Sequence, residues 1–222
     1  MKKFFKYLLT IIVSFVVLSC LTVVFYKFLP PPITPLMVLR LFDGAEGIDK
    51  TWCSYDEISS HLFRACIASE DARFLSHEGI DWKAVKQAKR YNELHKNKRL
   101  HGASTITMQT AKNVFLWHGR NFIRKGLEAY FTVLIETVWG KKRILEVYAN
   151  VVEWGNGVYG VEAASQKYFN KPASKLSKRE AALLAAVLPN PRKYSPSHPS
   201  NYILKRANNI QARMNSIALP KD

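Results

Sequence analysis

The sequence has few cysteines, and their spacing argues against a metal centre. Only Cys20, Cys53 and Cys66 occur in 222 residues, and no pair has the close spacing of a zinc site. Cys53 and Cys66 have apolar neighbours, which favours two buried thiols. A disulfide between them remains the alternative if the compartment is oxidising. We therefore expect no zinc site and no fold held mainly by disulfides.

Acidic residues are also scarce. The chain has 33 Lys and Arg against 17 Asp and Glu, a formal net charge of +16. Four of these cations flank an apolar N-terminal run, so the rest of the chain carries about +12. Such a charge attracts anionic lipid head groups or a phosphate-bearing substrate. Nucleic acid is the usual partner of a basic protein, but the topology described next argues against it.

No charged residue occurs between Tyr7 and Tyr26. A run of about 20 apolar residues forms roughly 30 Å of helix, enough to cross a bilayer. Lys2, Lys3 and Lys6 precede it, so the positive-inside rule places the N-terminus in the cytoplasm. We predict a cytoplasmic tail at 1–6, an anchor at 7–27 and an exported remainder, away from the chromosome. A cleaved signal peptide is the alternative, but its apolar core is normally only about 7–15 residues.

Beyond the anchor we predict a mainly α domain. Residues 28–45 should form a spacer and the start of the exported region, because the prolines at 30–32 and 35 cannot continue a helix. Strand-like alternation is confined to residues 33–41, and the Lys-rich stretch 83–100 is predicted to be mobile and solvated. The domain proper is predicted at 46–222. Helical spacing of apolar residues occurs at 58–67, 127–138, 144–151 and 176–188, with a last helix at 199–217.

Glu70 is the first candidate catalytic residue. It follows an apolar stripe, and partial desolvation would make its carboxylate a stronger base, although a solvated Glu at a helix end is the common alternative. Asp71, Phe74, His77 and Gly79 follow it with the spacing E-D-x-x-F-x-x-H-x-G. This pattern resembles the first signature of the peptidoglycan glycosyltransferases (glycosyltransferase family 51). Members of this family occur alone or fused to the transpeptidase of class A penicillin-binding proteins.

The stretch 102–113 carries hydroxyl, amide and ammonium groups with no acid. Its hydroxyls could cap a helix, and its order resembles the family signature G-x-S-T-I-T-x-Q-x-x-K-N. Met108 departs from the family, where many members have a second Gln, which puts only that side chain's part in binding in doubt. By resemblance, substrate contacts are expected from both signatures, at Asp71, Phe74, His77, Ser104, Thr105, Thr107, Gln109, Lys112 and Asn113.

A third pattern, Arg124-Lys-Gly-Leu-Glu128, resembles the family signature R-K-x-x-E, with Arg120 one turn earlier. On a helix these cations lie three and four residues before Glu128, so a surface ion pair is the plain alternative. The resemblance makes Glu128 the second essential carboxylate and makes Arg120, Arg124 and Lys125 substrate contacts. Two roles stay open for Glu128, namely orienting the cations or holding Mg²⁺ or Mn²⁺ beside a diphosphate.

Further matches extend the resemblance from about residue 52 to residue 217. They include R-I-L-E-x-Y-x-N at 143–150, in which Glu146, Tyr148 and Asn150 are expected to be structural. The family's fold is lysozyme-like. Because the chain ends at Asp222, without room for a transpeptidase, we expect a stand-alone, membrane-anchored enzyme.

The resemblance implies that the protein joins lipid II units into glycan strands. Glu70 would remove the proton of the acceptor 4-hydroxyl, undecaprenyl diphosphate would leave, and the α-linkage would invert to β-1,4. A diphosphate leaving group needs its charge stabilised, which suits four cations of the signatures, Lys112, Arg120, Arg124 and Lys125. The implied location is the inner membrane with the domain in the periplasm. The implied partners are lipid II, the growing strand and membrane lipids, with penicillin-binding and division proteins as candidates, and moenomycin is an expected inhibitor.

Two other functions compete with this interpretation. A lytic enzyme acting on peptidoglycan must protonate a sugar oxygen and has no diphosphate to neutralise, so the cations argue against it. A non-catalytic, basic cell-wall binding module leaves the spacing of Glu70, Gln109 and Glu128 unexplained. Phe115, Trp117 and Trp139 are candidates for contact with the membrane interface, where Trp is favoured. Core packing is the equal alternative for each of the three.

Overall fold

The computed structural model describes residues 1–95, 100–119 and 121–221. Its first helix, α1, runs from Lys2 to Phe28 and ends before the three consecutive prolines. In the described part of the chain it is the one helix long and apolar enough to cross a membrane. Most of its side chains are exposed, but Ser19 and Val23 are buried against the rest of the molecule.

Helix α2 (Pro35–Phe42) lies within the stretch predicted to be a spacer. The strand-like alternation at 33–41 therefore does not correspond to a strand, because most of this stretch is helical. Thr34 caps the helix by accepting a hydrogen bond from the backbone N–H of Met37 at 3.4 Å, and Pro35 occupies its first turn, where a missing N–H costs nothing. Leu36 and Met37 are buried in the main core. Residues before 46 therefore pack as part of the domain.

Over the described residues seven further helices build the domain, and the predicted mainly α character is confirmed. They are α3 (Ser60–Glu70), α4 (Trp82–Leu94), α5 (Ile106–Phe115), α6 (Phe122–Val151), α7 (Val161–Phe169), α8 (Lys178–Val187) and α9 (Asn201–Arg213). One small sheet has the order β1 (Asp49–Lys50), β3 (Val158–Tyr159), β2 (Glu153–Gly155). Strand β3 pairs parallel with β1 and antiparallel with β2.

The stretch 83–100, predicted to be mobile, begins as helix α4, and this part of the prediction was wrong. Asp81 caps the helix by accepting from the N–H of Ala84 at 2.8 Å, and Lys and Arg are good helix formers even without an apolar stripe. The helix has no buried residue, as expected of a solvated segment. Residues 96–99 lie outside the described residues.

Helix α6 is divided by Gly140, whose φ of +73° and ψ of 165° are not helical. The sequence predicted two separate apolar runs here, at 127–138 and 144–151, and the break falls between them. The first half carries Glu128 and packs on α5, while the second half enters the core with Ile144 and Leu145 fully buried.

The core lies where α3 packs on α8, α8 on α9, and α5 on α6. Large side chains such as Leu62, Phe63, Ile106 and Ile135 are at most 1% exposed, so these helix axes are fixed by apolar burial. Cys53 and Cys66 are buried and free. Burial raises the pKa of Cys53 to about 12 and also raises that of Cys66, which keeps both as thiols. The end of α3 and the start of α5 meet beside this core.

Candidate active site

Glu70 is the last residue of α3, and protein donors contact both oxygens of its carboxylate. Oε1 accepts from Ser69 Oγ at 2.8 Å and lies 3.3 Å from Arg206 Nη2. Oε2 accepts from Gln109 Nε2 at 3.2 Å. The side chain is 17% exposed. The predicted base is therefore oriented by neighbours while remaining open to a cleft.

A groove runs from Glu70 to the first turn of α6. A cleft of about 250 Å³ is lined by Glu70, Ser104 and Thr105, and a second of about 590 Å³ is lined by Ser104, Met108 and Lys125. Because Ser104 borders both, the two clefts adjoin. The far wall of the larger cleft is the Val85, Ala88 and Asn92 face of α4.

Three residues of the first signature contact protein groups. His77 Nε2 lies 3.0 Å from Asp71 Oδ1, and Asp71 Oδ2 accepts from the backbone N–H of Ile106 at 3.0 Å. Asp71 thus holds the start of α5, where a carboxylate is favoured by the helix dipole. Phe74 is fully buried, with Lys141 Nζ 4.5 Å from its ring centroid. That these residues also bind substrate stays a prediction.

The second signature forms α5 and divides into buried and accessible side chains. Thr105 caps the helix by accepting from Met108 N at 3.1 Å. Thr107 donates to Glu136 Oε2 at 2.9 Å. Together with Asn113 these threonines are at most 4% exposed, so they brace the helix. Ser104 is exposed, while Gln109 and Lys112 are partly exposed.

Glu128 is 3% exposed and pairs with both cations of the third signature. Arg124 Nη1 lies 2.5 Å from its Oε2, and Lys125 Nζ contacts its Oε1. Burial lowers the pKa of Lys112 below its usual 10.5. The negative charge of Glu128 opposes this shift, and the positive charges of Arg124 and Lys125 add to it. The predicted cluster is therefore assembled, with Arg120 outside the described residues.

The surroundings of Glu128 leave neither of its oxygens free for a divalent metal. Both oxygens are engaged by cations, whereas Mg²⁺ is usually held directly by one or two carboxylates together with substrate phosphates and water. Over residues 1–95, 100–119 and 121–221 no group of three or more His, Cys, Asp or Glu side chains could hold a metal ion. The geometry agrees with the other role left open, that Glu128 orients Arg124 and Lys125.

The sequence reasoning missed Arg206 and Arg40, which lie far from the signatures in the chain. Arg206 comes from α9, and Arg40 comes from α2, where its Nε lies 3.1 Å from Glu153 Oε2. The charge of Arg40 also lowers the pKa of Lys112, although burial and three other charges have larger effects. It lowers the pKa of His118 as well, where burial is the larger cause. No local spacing links these residues to the site, so only tertiary structure could find them.

Comparisons with known proteins find one matching family model and several similar proteins. The sequence model of the transglycosylase family matches residues 38–215. The chain is similar to the biosynthetic peptidoglycan transglycosylase of Rhodospirillum centenum, 57% identical over 189 residues, covering 85% of this chain and 81% of the relative. It is similar to the protein of the same name in Bdellovibrio bacteriovorus, 51% identical over 221 residues, covering 97% and 87%. The counterpart in Caulobacter vibrioides is 53% identical over 188 residues, covering 85% and 81%.

Proposed function

The chain belongs to the transglycosylase family, and on that premise we propose that it polymerises lipid II into β-1,4-linked glycan strands of the bacterial cell wall. The observation that carries the proposal is the groove with Glu70 at one end and Lys125, which pairs with Glu128, at the other. A base separated from a cationic cluster is the arrangement needed to activate a hydroxyl and release a diphosphate.

Glu70 is the proposed general base. Its Oε2 takes the proton of the acceptor 4-hydroxyl as that oxygen attacks the anomeric carbon of the donor N-acetylmuramic acid. The bond from that carbon to the diphosphate breaks, both electrons leave with undecaprenyl diphosphate, and the α-linkage becomes β. Gln109, which donates to Oε2 at 3.2 Å, keeps the carboxylate turned toward the groove.

Lys112, Arg124 and Lys125 are proposed to stabilise the leaving diphosphate. Charge-assisted hydrogen bonds to phosphate are about twice as strong as neutral ones. Glu128 holds Arg124 and Lys125 by its two oxygens, so the cations need little reorganisation when the negative charge develops. A hydrolase would have no such charge to neutralise, and for this reason the lytic alternative is not favoured.

The N-terminal helix is compatible with a single-pass anchor, and we propose that the N-terminus lies in the cytoplasm with the domain at the periplasmic surface. Ser19 Oγ lies 2.6 Å from Tyr130 OH, and Trp139 Nε1 donates to Val23 O at 2.7 Å. Helix α6 therefore runs beside the outer half of the anchor. This placement sets the groove near the head groups, where a lipid-linked substrate presents its diphosphate.

Of the three aromatics proposed for the interface, two pack inside the protein. Phe115 stacks on Phe131 at 4.5 Å and Trp139 is 6% exposed, so both follow the packing alternative. Trp117, 40% exposed, remains available to lipid. We extend the proposal to inhibition by moenomycin and to penicillin-binding and division proteins as partners, which a periplasmic domain could meet.

The test is polymerisation of labelled lipid II by the purified full-length protein, with products resolved by length. We expect polymer from wild type, and a loss of about 10²–10⁴-fold for Glu70→Gln, the usual contribution of a general base. Glu78→Gln is the matched control, because Glu78 is exposed on the same connection and should keep full activity.

Two results would overturn the proposal. Release of sugar fragments from preformed peptidoglycan, without polymer from lipid II, would assign the protein to the lytic class. Inactivity in both assays, with peptidoglycan binding retained, would indicate a non-catalytic binding module.

A further inference from the structure

Arg206 of α9 reaches the carboxylate assigned as the base. Its Nη2 lies 2.9 Å from Ser69 Oγ and 3.3 Å from Glu70 Oε1. Ser69 Oγ in turn lies 2.8 Å from the same oxygen. The three side chains form a closed set in which the guanidinium donates to both the hydroxyl and the carboxylate.

The packing of α9 fixes where Arg206 can point. Ile203, Ala207 and Ile210 share one face of the helix and are at most 1% exposed. Arg206 adjoins this face, and its Nε is buried, so the guanidinium is held against the protein beside Glu70 while the side chain is 28% exposed. A neighbouring cation, Lys205, is exposed. The direction of Arg206 is therefore determined by helix packing.

The two oxygens of Glu70 differ in the number of hydrogen bonds that they accept. A carboxylate offers about four lone-pair positions. Among the described residues, Ser69 and Arg206 donate to Oε1, whereas Gln109 alone donates to Oε2. Oε2 therefore retains a lone pair, and Glu70 lines the cleft next to Ser104. The atom able to take a proton from a substrate hydroxyl is Oε2.

We propose that Arg206 is a positioning residue that acts through Glu70. By holding Oε1, directly and through Ser69, it fixes the carboxylate so that Oε2 faces the acceptor hydroxyl. This inference rests on the proposed function and adds a role for the last helix of the domain. Misplacing a reacting group by about 1 Å can cost about 10²-fold in rate, so the role predicts a loss in kcat with little change in KM.

The experiment compares Arg206→Gln, Arg206→Lys and the control Lys205→Gln in full-length protein polymerising lipid II. We expect kcat to fall about 10–100-fold in Arg206→Gln, with partial recovery in Arg206→Lys, which keeps the charge but not the forked donor geometry. KM should stay within about twofold, since Arg206 acts through Glu70. Lys205→Gln should match wild type, because it removes the same charge from a solvated position.

A second arm measures lipid II binding on the inactive Glu70→Gln background. Adding Arg206→Gln there should leave the Kd within about twofold. A weakened Kd, or a rise in KM at unchanged kcat, would make Arg206 a substrate-binding residue and overturn the inference.

Thermal unfolding identifies a merely structural effect. If Arg206→Gln does not fold, Ser69→Ala decides, because it removes the other donor to Oε1 and should lower kcat in the same way. Wild-type kcat in both Ser69→Ala and Arg206→Lys would contradict the inference. An active wild type with a fully active Arg206→Gln would refute this role alone, whereas an inactive wild type would refute the proposed function.

Discussion

Glu70 ends α3 and Glu128 lies on α6, and the surroundings of these two carboxylates suit them to different roles. Glu70 is 17% exposed and has mainly neutral donors, with Arg206 at 3.3 Å on one oxygen. Glu128 is 3% exposed and binds two cations. Both oxygens of Glu128 are occupied by cations, whereas Glu70 retains a free lone pair toward the groove. The residue contacts thus favour one base and one organiser of cations.

Lys112 should set the alkaline limit of activity. Burial lowers its pKa below 10.5, so on raising the pH its ammonium loses the proton, and the diphosphate loses a cation, before a free lysine would titrate. As the pH rises, we expect kcat/KM to decline at a lower pH than it would with a fully solvated lysine. Lys112→Arg should retain activity to higher pH, because arginine stays protonated. The pH–rate profiles of the two proteins provide the measurement, and coincident alkaline limbs would contradict this role for Lys112.

At the scale of single elements, the anchor is fixed to the domain at several points. Arg143 Nη2 donates to Tyr26 O and Leu29 O, both at 2.8 Å, where the helix leaves its last carbonyls without partners. Lys50 contacts the carbonyls of Pro31 and Pro32. Both cations lie over the ring of Trp52. The proline segment is therefore held on the domain surface, which fixes the height of the groove relative to the anchor.

The break at Gly140 allows α6 to contact the anchor and also to pack in the core. Its φ of +73° and ψ of 165° are a combination found essentially only in glycine, and a Cβ there would meet no atom within 4 Å, so any cost of Gly140→Ala is backbone strain. We expect a loss of about 1–3 kcal/mol in the free energy of unfolding. Gly126→Ala is the control on the same helix. Its Cβ is also unobstructed, but its conformation is helical, so a gain of up to about 1 kcal/mol is expected.

Denaturant unfolding of both variants in detergent checks this pair. Equal effects of the two alanines would mean that the conformation of Gly140 is not required in the folded protein. A loss of unfolding free energy in Gly140→Ala alone would show that the folded protein requires the kink in α6.

At the scale of the whole molecule, local pattern predicted most helices and missed what depends on distant contacts. The stripes leading to Glu70 and around Leu127 have helical periodicity because one face is buried, and α3 and α6 confirm them. Helix α4 was missed because its side chains are solvated, so burial left no periodic signal. The residues of the site within signatures were predictable by resemblance. Arg206 and Arg40 were not, because only tertiary packing brings Arg206 to Glu70 and the charge of Arg40 near Lys112.

Removal of residues 1–27 should leave a domain that folds and still binds membranes. Two interactions should contribute to this binding, one electrostatic and one apolar. The basic surface should bind anionic vesicles in a salt-sensitive way, because exposed charges are screened at high ionic strength. The loss of α1 also uncovers Tyr130, Phe131 and Trp139, which contact Phe15, Ser19 and Val23 in the intact chain. This apolar face adds a part of the binding that salt does not remove.

Vesicle flotation at low and high salt separates these parts. We expect strong binding at low salt and reduced but measurable binding at high salt. Phe122→Ser is the matched probe of the neighbouring exposed surface, because Phe122 is 97% exposed and its replacement should weaken only the salt-resistant part. No binding at low salt would contradict the electrostatic argument. Complete loss of binding at high salt would indicate that α6 does not meet lipid in the truncated protein, and that the anchor alone seats the groove at the membrane.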